Sequence, residues 1–230
     1  PFAFTGNRFE FRAVGSKANC SGAITTLNSA VAEQLIDFKK LVDAELANGA
    51  SLQVACMRTI KPMIAEVLDT VCFDGNGYSD EWQREAQKRG LDTERCVPKM
   101  FLENVKSSAV EMFEKLGVFT AAELQARNEV KFETYVKLIQ IEARTLGDLA
   151  INHIIPAATT YQSKLLKNVA LMKSLFPQEW ESLSAYEISL IKKIAGYNAE
   201  IKMKVDAMVE KRRIANRIED AYEKAMAYYE

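Results

Sequence analysis

The sequence has almost no net charge, because its 30 basic side chains are offset by 31 acidic ones and the formal charge is −1. A protein that binds nucleic acid without sequence preference, or that is held on an anionic membrane, carries a clear basic excess, so both classes are disfavoured. Long apolar runs are also missing: none approaches the roughly 20 residues of a membrane-spanning helix, and no signal-peptide pattern is found. We therefore expect a cytoplasmic protein without nucleic-acid or membrane partners.

Residues that bind transition metals are scarce. The four cysteines, Cys20, Cys56, Cys72 and Cys96, lie far apart without a C-x-x-C pair, and His153 is the only histidine. A structural zinc site needs about four nitrogen or sulfur ligands close together, so we expect none, and nothing indicates an oxidising compartment. We expect four small buried thiols. Phosphate-binding loops of the G-x-x-x-x-G-K-[ST] and G-x-G-x-x-G types are missing too, so any nucleotide must be bound without them.

The composition that remains is that of a globular chain. Its 48% hydrophobic and 27% charged residues over 230 positions suit one domain, or one domain with an appendage. The sequence opens at Pro1 without an initiating methionine, and it stops at Glu230 inside a helical pattern that has no Gly or Asn cap. These features predict a part of a larger protein.

A strand pattern stands near the N-terminus. Residues 8–13 alternate charged residues with apolar ones, which is the period of a half-buried β-strand, and this pattern turns Phe9 and Phe11 toward a core. A single strand is not stable, because its backbone donors and acceptors need a partner strand. The partner must come from chain outside this sequence or from the short Pro1–Thr5 run. We therefore predict one strand of an incomplete sheet.

The opposite face of this strand carries three charges in a row. Arg8, Glu10 and Arg12 lie on one side, about 6–7 Å apart, because side chains alternate along a strand. A carboxylate is a suitable ligand for Mg²⁺ or Mn²⁺, and guanidinium groups match phosphate or carboxylate oxygens. The pattern suits an anionic substrate bound beside a metal ion. The alternative is a solvated strand face whose charges pair with a neighbouring strand.

Almost everything after the strand predicts helices. Apolar residues at helical spacing and the Gly, Pro and capping residues between them predict five helices over 24–47, 51–71, 79–89, 98–105 and 108–117. Pro62 lies within the second and is expected to kink or break it. Ser79 is expected to cap the third, and Ser108 with Glu111 forms the capping-box pattern of the fifth.

The C-terminal half predicts a long antiparallel helical hairpin at about 120–230. A capping box at Thr120 and Glu123 opens a helical stretch to about residue 175, with Pro156 inside it. A second capping-box pattern, at Ser184 and Glu187, opens a helix expected to run to the end of the chain. Its apolar residues have heptad-like spacing, and Asn198 occupies a seam position where a polar side chain can fix the register. Two long helices joined by a short loop are expected to pack side by side.

Several motifs are familiar. Residues 7–12, NRFEFR, with VGS at 14–16, resemble the strand near the end of the catalytic domain of glutamine synthetases. Residues 73–82, FDGNGYSDEW, continuing as EAQKRGL at 85–91, are similar to the signature of the type III enzymes. So are VFT at 118–120 with Glu123 and Leu124, IEA at 141–143, and IPA at 155–157 with Tyr161. The resemblance covers most of the chain.

The resemblance implies roles for the strand residues. Glu10 corresponds to a carboxylate that ligates an active-site divalent metal, Mg²⁺ or Mn²⁺. Arg12 corresponds to a catalytic arginine that contacts the bound substrate glutamate and its γ-phosphoryl group, and Arg8 to an arginine that contacts the phosphates of ATP. Such enzymes use ATP to phosphorylate glutamate, and ammonia then displaces phosphate to give glutamine. Phosphoryl transfer between anions needs positioned positive charge more than a protein nucleophile.

The resemblance also implies a domain division. Residues 1–48 would end the catalytic domain, and residues 49–230 would form the helical C-terminal extension, in an enzyme that forms homo-oligomers with active sites between neighbouring subunits. The family's other metal carboxylates and most of its nucleotide pocket lie upstream, so we expect the chain alone to be inactive. The alternative is a non-catalytic helical module for oligomer assembly or regulation. An independent metal-dependent enzyme is disfavoured, because too few carboxylates lie near the strand.

Overall fold

The computed structural model describes residues 2–4, 8–11 and 19–230; for residues 2–4 and 11 it describes the backbone only. It is mainly helical, as predicted. A 3₁₀ turn, Glu103–Val105, follows the fourth helix, and a π-helical segment, Leu149–Ile154, joins the sixth to the seventh. The strands and α-helices are β1 (Phe2–Phe4), β2 (Phe9–Phe11), α1 (Ser21–Ala47), α2 (Leu52–Val71), α3 (Asp80–Lys88), α4 (Val97–Leu102), α5 (Ser107–Lys115), α6 (Ala121–Asp148), α7 (Ile155–Leu175), α8 (Trp180–Leu183), α9 (Ala185–Ala215) and α10 (Ala221–Tyr229).

The predicted strand β2 has its partner within the chain. It pairs antiparallel with β1, and Phe4 lies opposite Phe9 while Ala3 lies opposite Glu10. Of the two partners considered from the sequence, the short N-terminal run is therefore the one observed. The expectation that Phe9 faces a core is wrong, since its side chain is 62% exposed. A two-stranded ribbon has no second layer of its own to cover that face.

By their contacts the residues divide into two compact units, 1–128 and 129–230, with the boundary inside α6. In the first unit α1 and α2 form a helical hairpin, whose turn is opened by Gly49 with a φ of +86°. Lys115 Nζ of α5 donates to Glu33 Oε1 of α1 at 2.9 Å. Pro62 does not break α2, which remains one helix of 20 residues. The predicted domain boundary near residue 48 remains a prediction.

The second unit contains the predicted antiparallel hairpin. Gln162 Nε2 donates to the Ile191 carbonyl at 2.9 Å, and Asn168 Nδ2 donates to Glu187 Oε1 at 3.3 Å. Residues later in α7 thus contact residues earlier in α9, so the two helices are antiparallel. Asn198 Nδ2 lies 3.4 Å from Thr159 Oγ1, so the polar seam residue pairs across the hairpin. The predicted seam positions of α9 are all half-buried: Ile191, Ile194, Asn198, Ile201, Val205, Met208 and Arg212.

The π-helical segment adjusts the long helix to its partner. Buried or half-buried residues of α6 and α7 mostly follow one another at steps of three and four, but consecutive steps of four lead through 143, 147, 151 and 155. The wider π turn absorbs the extra residue and keeps the apolar seam on α9. Gly147 lies just before it, where an added Cβ would stand 3.4 Å from Met208 Cε. Pro156 follows as the second residue of α7.

Three predicted helix ends are corrected. α5 begins at Ser107 with Lys106 as its cap, so the box at Ser108 is not formed. Ser184 precedes α9, but its side chain does not cap that helix, because the short α8 leads directly into it. α9 ends at Ala215 instead of running to the end of the chain, and the Asp220 side chain accepts the Glu223 N–H to begin α10.

The cysteines also differ from expectation. Cys96 is buried, Cys56 is half-buried, and Cys20 and Cys72 are exposed. The prediction of four buried thiols is therefore correct only for Cys96. Within the described part of the chain, no helix combines the length and the apolar character that crossing a membrane requires.

Candidate functional site

The structure brings together two of the three predicted strand residues. Arg8 Nη2 lies 3.7 Å from Glu10 Oε1, on the same face of β2, with the Arg8 side chain 74% exposed and the Glu10 side chain 35% exposed. Arg12, the predicted catalytic and substrate-binding residue, lies outside the described residues. The Arg8–Glu10 pair therefore has the geometry expected from strand alternation, with Arg8 the more exposed of the two.

The pair fits part of the predicted chemistry. Glu10 offers a partly exposed carboxylate, which is a suitable oxygen ligand for Mg²⁺ or Mn²⁺. The Arg8 guanidinium beside it has five N–H donors, so it can bind a phosphate oxygen while it stays near Glu10. Within residues 2–4, 8–11 and 19–230 no group of three or more His, Cys, Asp or Glu side chains could hold a metal ion. Glu10 can thus supply one metal ligand, and any further protein ligands would have to come from outside the described residues.

A second constellation lies where α2 ends and α3 begins, in the FDGNGYSDEW stretch. The Phe73 and Trp82 rings stack with centroids 4.0 Å apart and planes at 19°. The Arg89 guanidinium lies 5.5 Å from the centroid of the Trp82 ring. Its Nη1 donates to the Cys72 carbonyl and its Nε to Glu85 Oε1, both at 2.9 Å. Arg89 therefore ties the end of α2 to the end of α3. We call Phe73, Trp82 and Arg89 the aromatic clamp.

The residues between Phe73 and Trp82 build a tight turn. A Cβ on Gly75 would stand 2.7 Å from Phe73 Cζ, so glycine leaves room for the ring. Asn76 Oδ1 accepts the Tyr78 N–H at 3.0 Å, and Ser79 Oγ accepts the Trp82 N–H at 3.2 Å, as the predicted cap of α3. Gly75, Asn76 and Ser79 thus each have a local structural role.

Electrostatics in this constellation follow from Arg89. Its side-chain hydrogen bond lowers the pKa of Glu85, against the opposing effect of desolvation, and Lys88 contributes weakly in the same direction. The sequence reasoning named the FDGNGYSDEW stretch but missed Arg89 as its organising residue. The signal was available, since Trp82, Glu85 and Arg89 are three and four residues apart and share one face of α3.

His153 lies in the π-helical segment and is exposed. Its Nε2 is 3.8 Å from Asp148 Oδ2, while Asn152 Nδ2 donates to Asp148 Oδ1 at 2.7 Å. Asp148 therefore bridges two neighbouring polar side chains on the helix surface. His153 is thus one of three polar side chains that lie close together on the helix surface of the second unit.

Comparison with known proteins identifies the relatives of this chain. Residues 55–173 match the family model of the glutamine synthetase C-terminal domain. The chain is 46% identical over 233 aligned residues to a glutamine synthetase of Bacteroides fragilis (strain YCH46); the match covers 100% of this chain and 32% of that protein. It is 36% identical over 170 residues to the type-3 glutamine synthetase of Dictyostelium discoideum, which covers 74% of this chain and 23% of that protein.

A third relative agrees with these two. The chain is 30% identical over 237 aligned residues to a glutamine synthetase of Butyrivibrio fibrisolvens, with 100% of this chain and 32% of that protein covered. The chain therefore spans about a third or less of the length of these relatives. The resemblance drawn from the strand and from the FDGNGYSDEW stretch is confirmed.

Proposed function

We propose that this chain, which belongs to the glutamine synthetase C-terminal domain family, is part of an ATP-dependent glutamate–ammonia ligase of type III. The observation that carries the proposal is the agreement between two independent parts of the chain. The family model matches residues 55–173, while the charged strand lies outside that match and retains the Arg8–Glu10 pair on one face. Strand and helical region thus support the same enzyme.

The reaction has two steps. The γ-phosphoryl group of ATP is transferred to the side-chain carboxylate of glutamate, which gives ADP and γ-glutamyl phosphate. Ammonia then attacks the acyl carbon, phosphate leaves, and glutamine forms with the loss of a proton. A bound Mg²⁺ or Mn²⁺ would supply positive charge to the reacting phosphates. Because both substrates are anions, positioning and positive charge are the main demands on the protein.

This chain would contribute one wall of the active site. Glu10 would provide a carboxylate ligand, Arg8 would bind nucleotide phosphates, and Arg12 would hold glutamate and the γ-phosphoryl group. The exposure of the Arg8 and Glu10 side chains supports the assignment, since both groups can reach a ligand. The remaining ligands would come from chain upstream of these residues. The 230 residues alone would be inactive, and the complete enzyme would act in the cytoplasm as a homo-oligomer.

The test uses a polypeptide as long as the relatives and containing this chain. Glu10→Gln should lower the rate of ATP-dependent glutamine formation by about 100-fold or more, because the substitution removes an anionic oxygen ligand while keeping the side chain's size. Raising the Mg²⁺ concentration should restore part of the rate. Glu219→Gln, in the exposed turn before α10, is the matched control and should leave the rate unchanged. An unchanged rate for Glu10→Gln would refute the metal role.

A second candidate function, assembly or regulation by the helical region, is favoured by the hairpin of α7 and α9. Its seam includes three side-chain hydrogen bonds between α7 and α9 and involves none of the strand residues. Removal of residues 184–230 should therefore reduce the number of subunits in the assembly, obtained by light scattering as the assembly mass divided by the mass of the truncated subunit. The Glu10→Gln variant, in contrast, should keep the number of subunits of the unaltered protein. If the truncated protein has the same number of subunits, the hairpin is not an assembly module.

A further inference from the structure

Helix α2 has two apolar faces. Ala55 and Thr59 are buried on the side toward α1. On the other side a row of apolar residues recurs at steps of three, four and seven, which places them on one stripe of an α-helix. These side chains are 43–64% exposed. We call this set the outer stripe of α2, and its members are Val54, Met57, Ile64, Leu68 and Val71.

The outer stripe extends over almost the whole length of α2, from Val54 to Val71. A continuous apolar stripe on a helix is typical of an interface with another protein surface. An open groove of about 360 Å³ includes the N-terminal part of the stripe and is lined by Gln53, Val54, Met57, Arg58 and Lys61.

The charges beside the stripe indicate which surface covers it. Arg58 and Asp69 are eleven residues apart, about three helical turns, so they lie on the same flank of α2. They are equally distant from the point between Met63 and Ile64. When two copies of a helix pack antiparallel, residues on the same flank at equal distances from the twofold axis face each other. Arg58 of one copy would therefore meet Asp69 of the other, twice in each pair.

We propose that the outer stripe of α2 is a contact between two copies of this chain, packed antiparallel about a twofold axis near Ile64. The axis places the two Ile64 side chains together at the centre, and the groove beside Met57 receives Leu68 and Val71 of the partner subunit. Arg58 Nη1 already donates to Glu45 Oε2 at 3.0 Å. That bond fixes the guanidinium and leaves further N–H donors for a second carboxylate. The inference names the surface for the self-association expected above.

Charge reversal tests the facing pairs. In the protein at the length of its relatives, Arg58→Asp or Asp69→Arg alone should raise the dissociation constant of the contact by about tenfold or more, because each creates two like-charge pairs. Arg58→Asp with Asp69→Arg should restore it. Glu45→Gln is the matched control: it removes the negative charge beside Arg58 but keeps an oxygen that can accept the Arg58 N–H, so association should change by less than about twofold. Dissociation is followed by light scattering on dilution. Unchanged single variants, or a double variant that fails to recover, would overturn the proposal.

Cross-linking tests the axis independently. With Cys20, Cys56 and Cys72 replaced by serine, Ile64→Cys should form a disulfide between copies on oxidation, whereas Val54→Cys should not, because it lies far from the axis. Equal cross-linking by both would refute the antiparallel arrangement. If both thiols resist alkylation and neither cross-links, another region of the polypeptide covers the stripe and the proposal fails. Glutamine formation, measured on the same variants, reports separately on the enzymatic function.

Discussion

Arg89 of the aromatic clamp is the side chain whose removal should loosen α3 most. Its hydrogen bond to the Cys72 carbonyl contributes about 1 kcal/mol, and its position beside the Trp82 ring about 0.5–1 kcal/mol. The ion pair with Glu85 acts in the same direction. Arg89→Ala should therefore lower the local free energy of opening of α3 by about 1.5–2 kcal/mol, the sum of these two contributions.

The assay is native-state hydrogen exchange of the amides in α3. A loss of 1.5–2 kcal/mol corresponds to exchange that is roughly 10–30-fold faster. Arg84→Ala is the matched control on the same helix, because Arg84 is exposed and its substitution removes the same charge. Its exchange should change by less than about twofold. The reasoning is refuted if α3 exchanges at the same rate in the two variants, since Arg89 would then hold nothing that a surface arginine does not.

Three further predictions concern the turn, the α6 cap and the hairpin. Gly75→Ala should displace the Phe73 ring from Trp82, because the new Cβ would stand 2.7 Å from Phe73 Cζ. The near-ultraviolet circular dichroism of the aromatic side chains should therefore weaken, and an unchanged spectrum would contradict this. The Thr120 backbone N–H lowers the pKa of Glu123, so stability from this carboxylate is present at neutral pH and lost as pH falls through that lowered pKa. The protection of amides in the first turns of α6, measured relative to their intrinsic exchange rate at each pH, should fall on acidification, and Glu123→Gln should abolish that pH dependence. Asn198→Ile should raise the thermal midpoint and add species of other mass in light scattering, because the polar seam residue costs stability but selects register; a lower midpoint with one species would oppose this.

Local signals in the sequence were the ones that predicted structure well. Thr120 and Glu123 form the predicted capping box, with the Thr120 N–H on Glu123 Oε2 at 2.9 Å and the Glu123 N–H on Thr120 Oγ1 at 3.3 Å. The seam of α9 was likewise predicted from spacing alone. The Ser108 box failed although its pattern is the same, because the helix begins at Ser107, one residue before the predicted cap.

Features that depend on more than one element were harder to predict. The π-helical segment arises because α6 and α7 must keep one seam on α9, which a single-helix periodicity does not reveal. The outer stripe of α2 was visible in principle, since apolar residues occur on both faces of that helix, but helical periodicity was used only to find its bounds. At the candidate site the strand alternation correctly brought Arg8 beside Glu10, and the solvent exposure of Phe9 depended on what packs against the ribbon.

Glutamine formation tests the account's central claim most directly. Glutamate, ammonium, ATP and Mg²⁺ are supplied to the 230-residue chain and, separately, to the polypeptide that contains it at the length of its relatives. The account predicts ATP- and Mg²⁺-dependent glutamine from the longer polypeptide and none from the chain alone. No glutamine from a folded longer polypeptide would contradict the proposed enzyme, and glutamine from the chain alone would contradict its role as one wall of a larger active site.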